Sequence, residues 1–269
     1  MNNNYKIISM DFDGTLLTSN KKITERTKNV LLYLKSKGYL IIGVTARNLV
    51  SVKSVLDLKM FNYIILNNGA NIYDVEKNEI NNIAYIDKNT IDKLVNHFEK
   101  DLIQIDYCTA NRYYMKANEK HDLRDFIVYI NGIEEVDEPV SRMNLFFKTD
   151  EELLINRRII ENEFKTINVV GMKETDNKNS KKWLTINPNN VNKFTTLKFI
   201  CKQIGYTIDD IIFFGDGEND LILIENVGLG IAMGNAIDIV KNKASKITLS
   251  NDNDGVAVFL EKNYNIFKY

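Results

Sequence analysis

Residues 5–17 read YKIISMDFDGTLL, and the turn from apolar to acidic in the middle of that stretch decides the fold. Lys6 to Met10 form the end of an apolar strand, and Asp11 and Asp13 follow at once with only Phe12 between them. Two like charges at that spacing repel each other and resist burial unless something of opposite sign meets them. Side chains two apart on an extended chain point the same way, so both carboxylates can face one ligand. Gly14 then lets the chain reverse. Taken alone, DFDGT can also be a solvated Asp-Gly turn.

Working outward, the same pattern recurs. GDGEND at 215–220 is a second acidic cluster, and it follows another buried strand, Ile211 to Phe214. Between the two, strand and helix signals alternate: the helical spacing of ITERTKNVLLYLKSKG, the apolar run YLIIGVT, a helix over about Leu49 to Leu58, and the run NYIILNNGANIYD that ends in a Gly turn. This order gives an α/β fold, a Rossmann-like doubly wound parallel sheet. From about Asn81 to Pro188 the apolar runs alternate instead (LIQIDYC, RYYMKA, NLFFK) and are separated by amphipathic stretches, the texture of an α+β module. The expected organisation is a core of residues 1–80 and 189–269 interrupted by an inserted α+β domain, 81–188. In an open α/β sheet, ligands bind outside the carboxyl ends of the strands, so both acidic clusters belong at one edge. Carboxylates gathered there need a cation, and an oxygen-only set suits Mg²⁺.

Composition narrows the class. The chain has 269 residues, 44% hydrophobic and 26% charged, enough apolar mass for a core. A net charge of −1 argues against a general nucleic-acid binder. Cys108 and Cys201 lie far apart with no CxxC, so two reduced thiols are expected. No apolar run approaches the roughly 18 residues of a membrane span, and the polar start lacks the pattern of a signal peptide. A cytoplasmic protein, monomeric or weakly dimeric, with no membrane or nucleic-acid partner, is the expectation.

Two further positions carry chemistry only in context. Thr45, in VTAR, ends a buried strand, where a hydroxyl and the adjacent N–H groups can bond a phosphoryl group or cap the next helix. Lys193, in INPNNVNKFTTL, precedes a helix and is either a point charge toward phosphate oxygens or a surface lysine.

In that order, DFDGTLL, Thr45, Lys193 and GDGEND resemble the four motifs of the haloacid dehalogenase superfamily of phosphatases. The insert resembles the α/β cap of its Cof-type, sugar-phosphatase-like branch, and NNGANIYD, GLGIAMGNA and SNDNDGVAVFLEK match that branch too. The resemblance implies a Mg²⁺-dependent phosphatase acting on a small phosphorylated metabolite, with a sugar phosphate first. Asp11 would be the nucleophile that forms an aspartyl-phosphate, and Asp13 the acid and then base, its carbonyl also on the metal. Asp216 and Asp220 would complete the metal ligands, with Asp220 alternatively orienting Lys193. Thr45, Ala46, Lys193 and Asn219 would bind the phosphoryl group. Two positions depart from the branch: Ala46 and Phe194 stand where Gly is usual, and both reshape the phosphate pocket without removing a reacting group.

In the insert, Arg112, Tyr113, Arg142 and Asn144 are candidates to meet the substrate, and the cap is expected to close over the site. His97 and His121 read as exposed, and Trp183 as packing between cap and core. Pyridoxal phosphate, flavin mononucleotide and nucleotide monophosphates are alternative substrates. A phosphomutase and a non-catalytic metabolite-binding protein are the rival functions.

Overall fold

β1 (Ile7–Asp11) is buried along its whole length, and the first of the two acidic residues is its last member. The computed structural model describes residues 5–171 and 182–264; residues 1–4, 172–181 and 265–269 of the expected domain ranges lie outside the described residues. After β1 come α1 (Glu25–Ser36), β2 (Leu40–Val44), α2 (Leu49–Lys53), β3 (Tyr63–Leu66), β4 (Asn71–Asp74) and β5 (Glu79–Asn82). Then follow α3 (Lys88–Phe98), β6 (Leu102–Cys108), β7 (Tyr113–Ala117), β8 (Ile127–Tyr129), β9 (Arg142–Phe147), α4 (Asp150–Glu163), β10 (Ile167–Gly171) and β11 (Lys182–Pro188). The chain continues through α5 (Lys193–Gln203), β12 (Ile211–Gly215), α6 (Leu221–Asn226), β13 (Leu229–Ala232), α7 (Asp238–Lys243), β14 (Lys246–Ile247) and α8 (Gly255–Tyr264).

These elements make two compact units. The first holds residues 1–46, 55–81 and 192–269. Its sheet runs β14-β13-β12-β1-β2-β3-β4-β5. β1 lies at the centre, parallel to β2 through Ile8–Ile41 and to β12 through Ile8–Ile212. The chain therefore winds outward from β1 in one direction first and returns on its other side, as the alternating strand and helix signals require. β3 and β4 pair antiparallel, Tyr63 opposite Asp74, so NYIILNNGANIYD is a hairpin, and β5 lies beyond it as the edge strand. α1 starts where the Thr24 side chain accepts the Thr27 N–H, and it buries Thr27, Val30, Leu31 and Leu34 on one face.

The helix expected over Leu49–Leu58 is shorter. Asn48 caps its start by accepting the Ser51 N–H, but α2 ends at Lys53, where the Ser54 hydroxyl donates back to the Ser51 carbonyl. Such local side-chain bonds compete with the helical ladder. Asp57 then caps a separate 3₁₀ turn, Leu58–Met60. Residues 47–54 also group with the second unit although the expected boundary assigned them to the first. The Leu49 N–H donates to the Ala110 carbonyl (3.0 Å) and the Asn48 side-chain amide to the Arg112 carbonyl (2.7 Å).

The second unit, residues 47–54 and 82–191, carries the sheet β10-β11-β9-β6-β7-β8, antiparallel except for β7 with β8. Strand alternation splits it into two faces. Ile105, Tyr107, Met143, Leu145, Phe147, Leu184 and Ile186 pack with Ile91, Leu94 and Phe98 of α3 and Ile160 of α4. Gln104, Asp106, Cys108, Arg142, Asn144 and Thr185 occupy the alternate positions, and they too are buried. Among the described residues no helix is long and apolar enough to cross a membrane.

Candidate active site

The carboxyl ends of β1 and β12 lie side by side, and each delivers acid. Asp11 closes β1 and is 6% exposed. Lys193, the first residue of α5, is 2% exposed and reaches into the same place. Its ammonium donates to Asp11 Oδ1 (2.5 Å) and to Asp220 Oδ1 (2.7 Å). The start of α5 fixes this lysine: Asn192 accepts the Thr195 N–H, and the Thr195 hydroxyl accepts the Asn192 N–H in return. The two carboxylates overcome the desolvation of a buried lysine, as burial without a partner would not allow.

The turn after β12 supplies the rest. Asp220 Oδ2 accepts the N–H groups of Asp216 (3.1 Å) and Gly217 (3.2 Å), which folds residues 215–220 back on themselves. Asp220 is thus engaged through both oxygens, one on Lys193 and one on the turn. Asp216 is held from the other motif, where the Thr15 hydroxyl donates to its Oδ1 (2.7 Å). Gly14 makes that approach possible. It has φ +84°, and a Cβ there would stand 2.3 Å from Asp216 Oδ2. The DFDGTLL loop is pinned from behind by Asn235, whose amide donates to the Gly14 carbonyl (2.7 Å), and by Asn251, whose amide donates to the Leu17 carbonyl (2.9 Å). The segments GLGIAMGNA and SNDND therefore brace the acidic loop.

Asp11, Asp216 and Asp220 offer carboxylate oxygens that all lie within 4.8 Å of one another. Two of these carboxylates accept from the Lys193 ammonium, and Asp216 adds a third negative charge beside them. Burial accordingly pushes Asp11 well above the usual carboxylate range against the pull of Lys193, with Asp220 and Asp216 adding to the rise. Burial also raises Asp216, to about 6, only partly opposed by the Thr15 hydroxyl. For Lys193, burial acts downward, but Asp11 and Asp220 prevail and hold it raised. An oxygen-only set with surplus negative charge, two of its carboxylates buried and the third half-buried, next to a glycine that keeps the Asp216 carboxylate clear of side-chain bulk, fits Mg²⁺.

The remaining expected site residues are placed as follows. Thr45 is buried one residue beyond Val44, the register partner of Asp11. Its N–H donates to the Ile65 carbonyl, and its carbonyl accepts the Asn68 N–H (3.1 Å). Ala46 is half-buried in the bend that follows, Asn219 is exposed, and Phe194 is half-buried while Lys193 still reaches both carboxylates. The Asp13 carboxylate stands outside the buried cluster, 38% exposed, and accepts from the Lys21 ammonium (2.8 Å).

In the second unit, three of the four candidates join one network. Asp106 accepts from Tyr113 Oη, from Gln104 Nε2 (2.6 Å) and from Asn144 Nδ2 (3.1 Å). Arg142 donates to Asn144 Oδ1 (2.8 Å) and to Cys108 Sγ (3.1 Å). Arg112 lies apart, paired with Asp137 at 3.1 Å. A cavity of about 480 Å³ opens beside this network, lined by Gln104, Asp106, Tyr113, His121, Arg124 and Phe146 among others. His97 and His121 are exposed, and Trp183 stacks near Phe146 with ring centres 5.5 Å apart. Sequence reasoning missed Thr15, Lys21, Gln104 and Asp106. Gln104, Asp106 and Cys108 were open to discovery as every second residue of LIQIDYC, hence one face of the strand.

Residues 8–260 match the family model described as haloacid dehalogenase-like hydrolase. A 5-amino-6-(5-phospho-D-ribitylamino)uracil phosphatase of Bacillus subtilis is 28% identical, the match covering 94% of this chain and 93% of the relative. A solved Thermotoga maritima structure superposes with a TM-score of 0.79 at 28% identity, covering 96% of this chain and 97% of its own. A sugar phosphatase of haloacid dehalogenase subclass IIB shares the fold, with a TM-score of 0.78 at 21% identity and coverage of 97% and 99%. With its acidic loop, its lysine and its second acidic turn gathered at one sheet edge, the chain belongs to the haloacid dehalogenase-like hydrolase family.

Proposed function

We propose that the chain hydrolyses phosphoric monoesters of small metabolites, sugar phosphates first among them, through an aspartyl-phosphate on Asp11. The observation that carries this reading is the buried Asp11–Lys193–Asp220 arrangement, with Asp216 beside it, at the carboxyl ends of two adjacent parallel strands. The names of the relatives support the reaction class: one is a phosphatase of a phosphoribityl compound, and a protein of the same fold is a sugar phosphatase.

Each residue has a definite task. An Asp11 oxygen attacks phosphorus in line with the leaving oxygen; the bond from phosphorus to that oxygen breaks as Asp13 gives it a proton. Asp13, now a carboxylate, takes a proton from water. The water oxygen attacks phosphorus, the bond to Asp11 breaks, and inorganic phosphate leaves. Lys193 and the Thr45 hydroxyl, with the Ala46 backbone and Asn219, stabilise the charge on the transferring oxygens. Asp220 keeps Lys193 aimed at Asp11. Asp11, Asp216, Asp220 and the Asp13 carbonyl would hold Mg²⁺, which would neutralise phosphate charge and keep Asp11 ionised.

A phosphate-release screen over a panel of phosphorylated metabolites, with and without Mg²⁺, tests this. Release from at least one ester, abolished by excess EDTA, is expected. Full activity in EDTA would remove the metal from the account, and tight metabolite binding without hydrolysis of any ester would refute the enzyme. Appearance of an isomerised sugar phosphate in place of free phosphate would identify a mutase.

A further inference from the structure

Lys21 is held in an unusual way for a surface lysine. Its backbone is left-handed, φ +57°, a conformation that an unbranched side chain with a Cβ adopts only under constraint. The constraint is visible. The Thr18 N–H donates to the Lys22 carbonyl (2.9 Å) and the Lys21 N–H to the Thr18 carbonyl (2.8 Å), closing a tight turn. The Ser19 N–H (2.8 Å) and hydroxyl (2.7 Å) both donate to the Asp252 carboxylate, and Asn251 holds the Leu17 carbonyl. The loop that begins with the acidic motif is thereby fastened at its far end, and its strained residue directs an ammonium back to Asp13 Oδ1, 2.8 Å away.

We propose that Lys21 is a specificity-determining residue of the same site, taking an anionic group, a carboxylate or second phosphoryl, carried by the alcohol part of the ester next to the scissile oxygen. The proposal rests on the role of Asp13 in the reading above. When Asp13 turns from Lys21 to the leaving oxygen, the ammonium loses the carboxylate it pairs with in this structure. That ammonium, 2.8 Å from Asp13 Oδ1 in this structure, then faces the alcohol part of the ester that Asp13 serves. A neutral alcohol leaves this charge without a partner, whereas an α-carboxylate replaces the one withdrawn. The lysine side chain is 54% exposed, so the attraction is moderated by solvent and weakened by salt.

Two matched ester pairs isolate the effect: 2-phosphoglycerate against glycerol 2-phosphate, and 2-phosphoglycolate against 2-hydroxyethyl phosphate. Within each pair a carboxylate replaces a hydroxymethyl group. The full-length protein is expected to favour the carboxylate member by at least about fivefold in kcat/KM at low salt, mainly through KM. Lys21→Met should cut that ratio to less than about twofold, Lys21→Arg should keep it, and Lys21→Glu should reverse it. Hydrolysis without a carboxylate preference, or a preference unchanged in Lys21→Met, overturns this proposal alone. If no ester of any kind releases phosphate, it falls together with the reading on which it rests.

Discussion

Replacing Lys193 by Met removes the ammonium that the buried carboxylates of Asp11 and Asp220 share, while keeping length and bulk. Two charge-assisted hydrogen bonds vanish, at 2.5 Å to Asp11 and 2.7 Å to Asp220, in a place where the lysine is 2% exposed. Removing one partner of a buried pair costs about 3–5 kcal/mol, because the other charge stays buried and unpaired. Here two carboxylates lose their shared cation, with Asp216 adding a third negative charge beside them, while Asp220 keeps the N–H groups of Asp216 and Gly217. For a chain of this size, each kcal/mol lowers the melting temperature by roughly 2–4 °C, so a fall of about 6–20 °C in EDTA follows. Carboxylates whose pKa is raised by burial and mutual repulsion give most stability when protonated, so the deficit should shrink as pH falls from 8 toward 5. Mg²⁺ should also restore more stability to the variant than to wild type, since it supplies the missing positive charge. Thermal unfolding followed by circular dichroism, with EDTA or Mg²⁺ across that pH range, reads all three effects. A melting temperature unchanged in EDTA, or a deficit that grows on acidification, would refute the electrostatic account of the cluster.

Three shorter predictions concern other residues. Asp216 has its folded pKa raised from 3.8 to about 6, so its contribution is fully present below pH 3.8 and is lost as pH rises through 6. Comparing metal-free wild type with Asp216→Asn between pH 4 and 7 should therefore show the variant gaining relative stability as pH rises, and a flat difference would contradict this. Gly14→Ala should cost about 1–2 kcal/mol for the left-handed backbone alone, besides displacing Asp216 from a Cβ that would stand 2.3 Å away. Weakened Mg²⁺ binding by titration calorimetry and a lowered melting temperature check it. Asp106→Ala leaves Gln104, Tyr113 and Asn144 without their shared acceptor and should destabilise the second unit by about 1–3 kcal/mol in urea, while Asp106→Asn, which keeps one acceptor, costs less.

The parts of the site that were legible in the sequence are those where a residue's type conflicts with its surroundings. Asp11 at the end of a buried strand and Asp216 and Asp220 after another could not be ordinary core residues, and strand topology then required them to share an edge. Lys193 was different: nothing local distinguishes it from the other lysines of the chain, and only its order among the motifs selected it. Thr15 and Lys21 were not legible because their partners, Asp216 and Asp13, are reached through a turn whose geometry depends on Gly14, Asn235 and Asn251 together. The shortened α2 has the same origin, since Asn48, Ser54 and Asp57 each offer the backbone a local hydrogen bond that helical periodicity does not register. On the second unit's sheet the apolar face could be read from alternation. The polar face, with Asp106 at its centre, depends on Arg142, Asn144 and Tyr113 arriving from neighbouring strands.

The most direct test of the account is covalent. Wild-type protein mixed with a hydrolysable ester and Mg²⁺, quenched in acid within one turnover and digested, should yield the peptide containing Asp11 carrying one phosphoryl group. The Asp11→Asn protein should yield none and should release no phosphate above background. An Asp11→Asn variant that turns over like wild type, or a phosphoryl group found on another residue of the wild-type protein, would contradict the assignment of Asp11 as nucleophile.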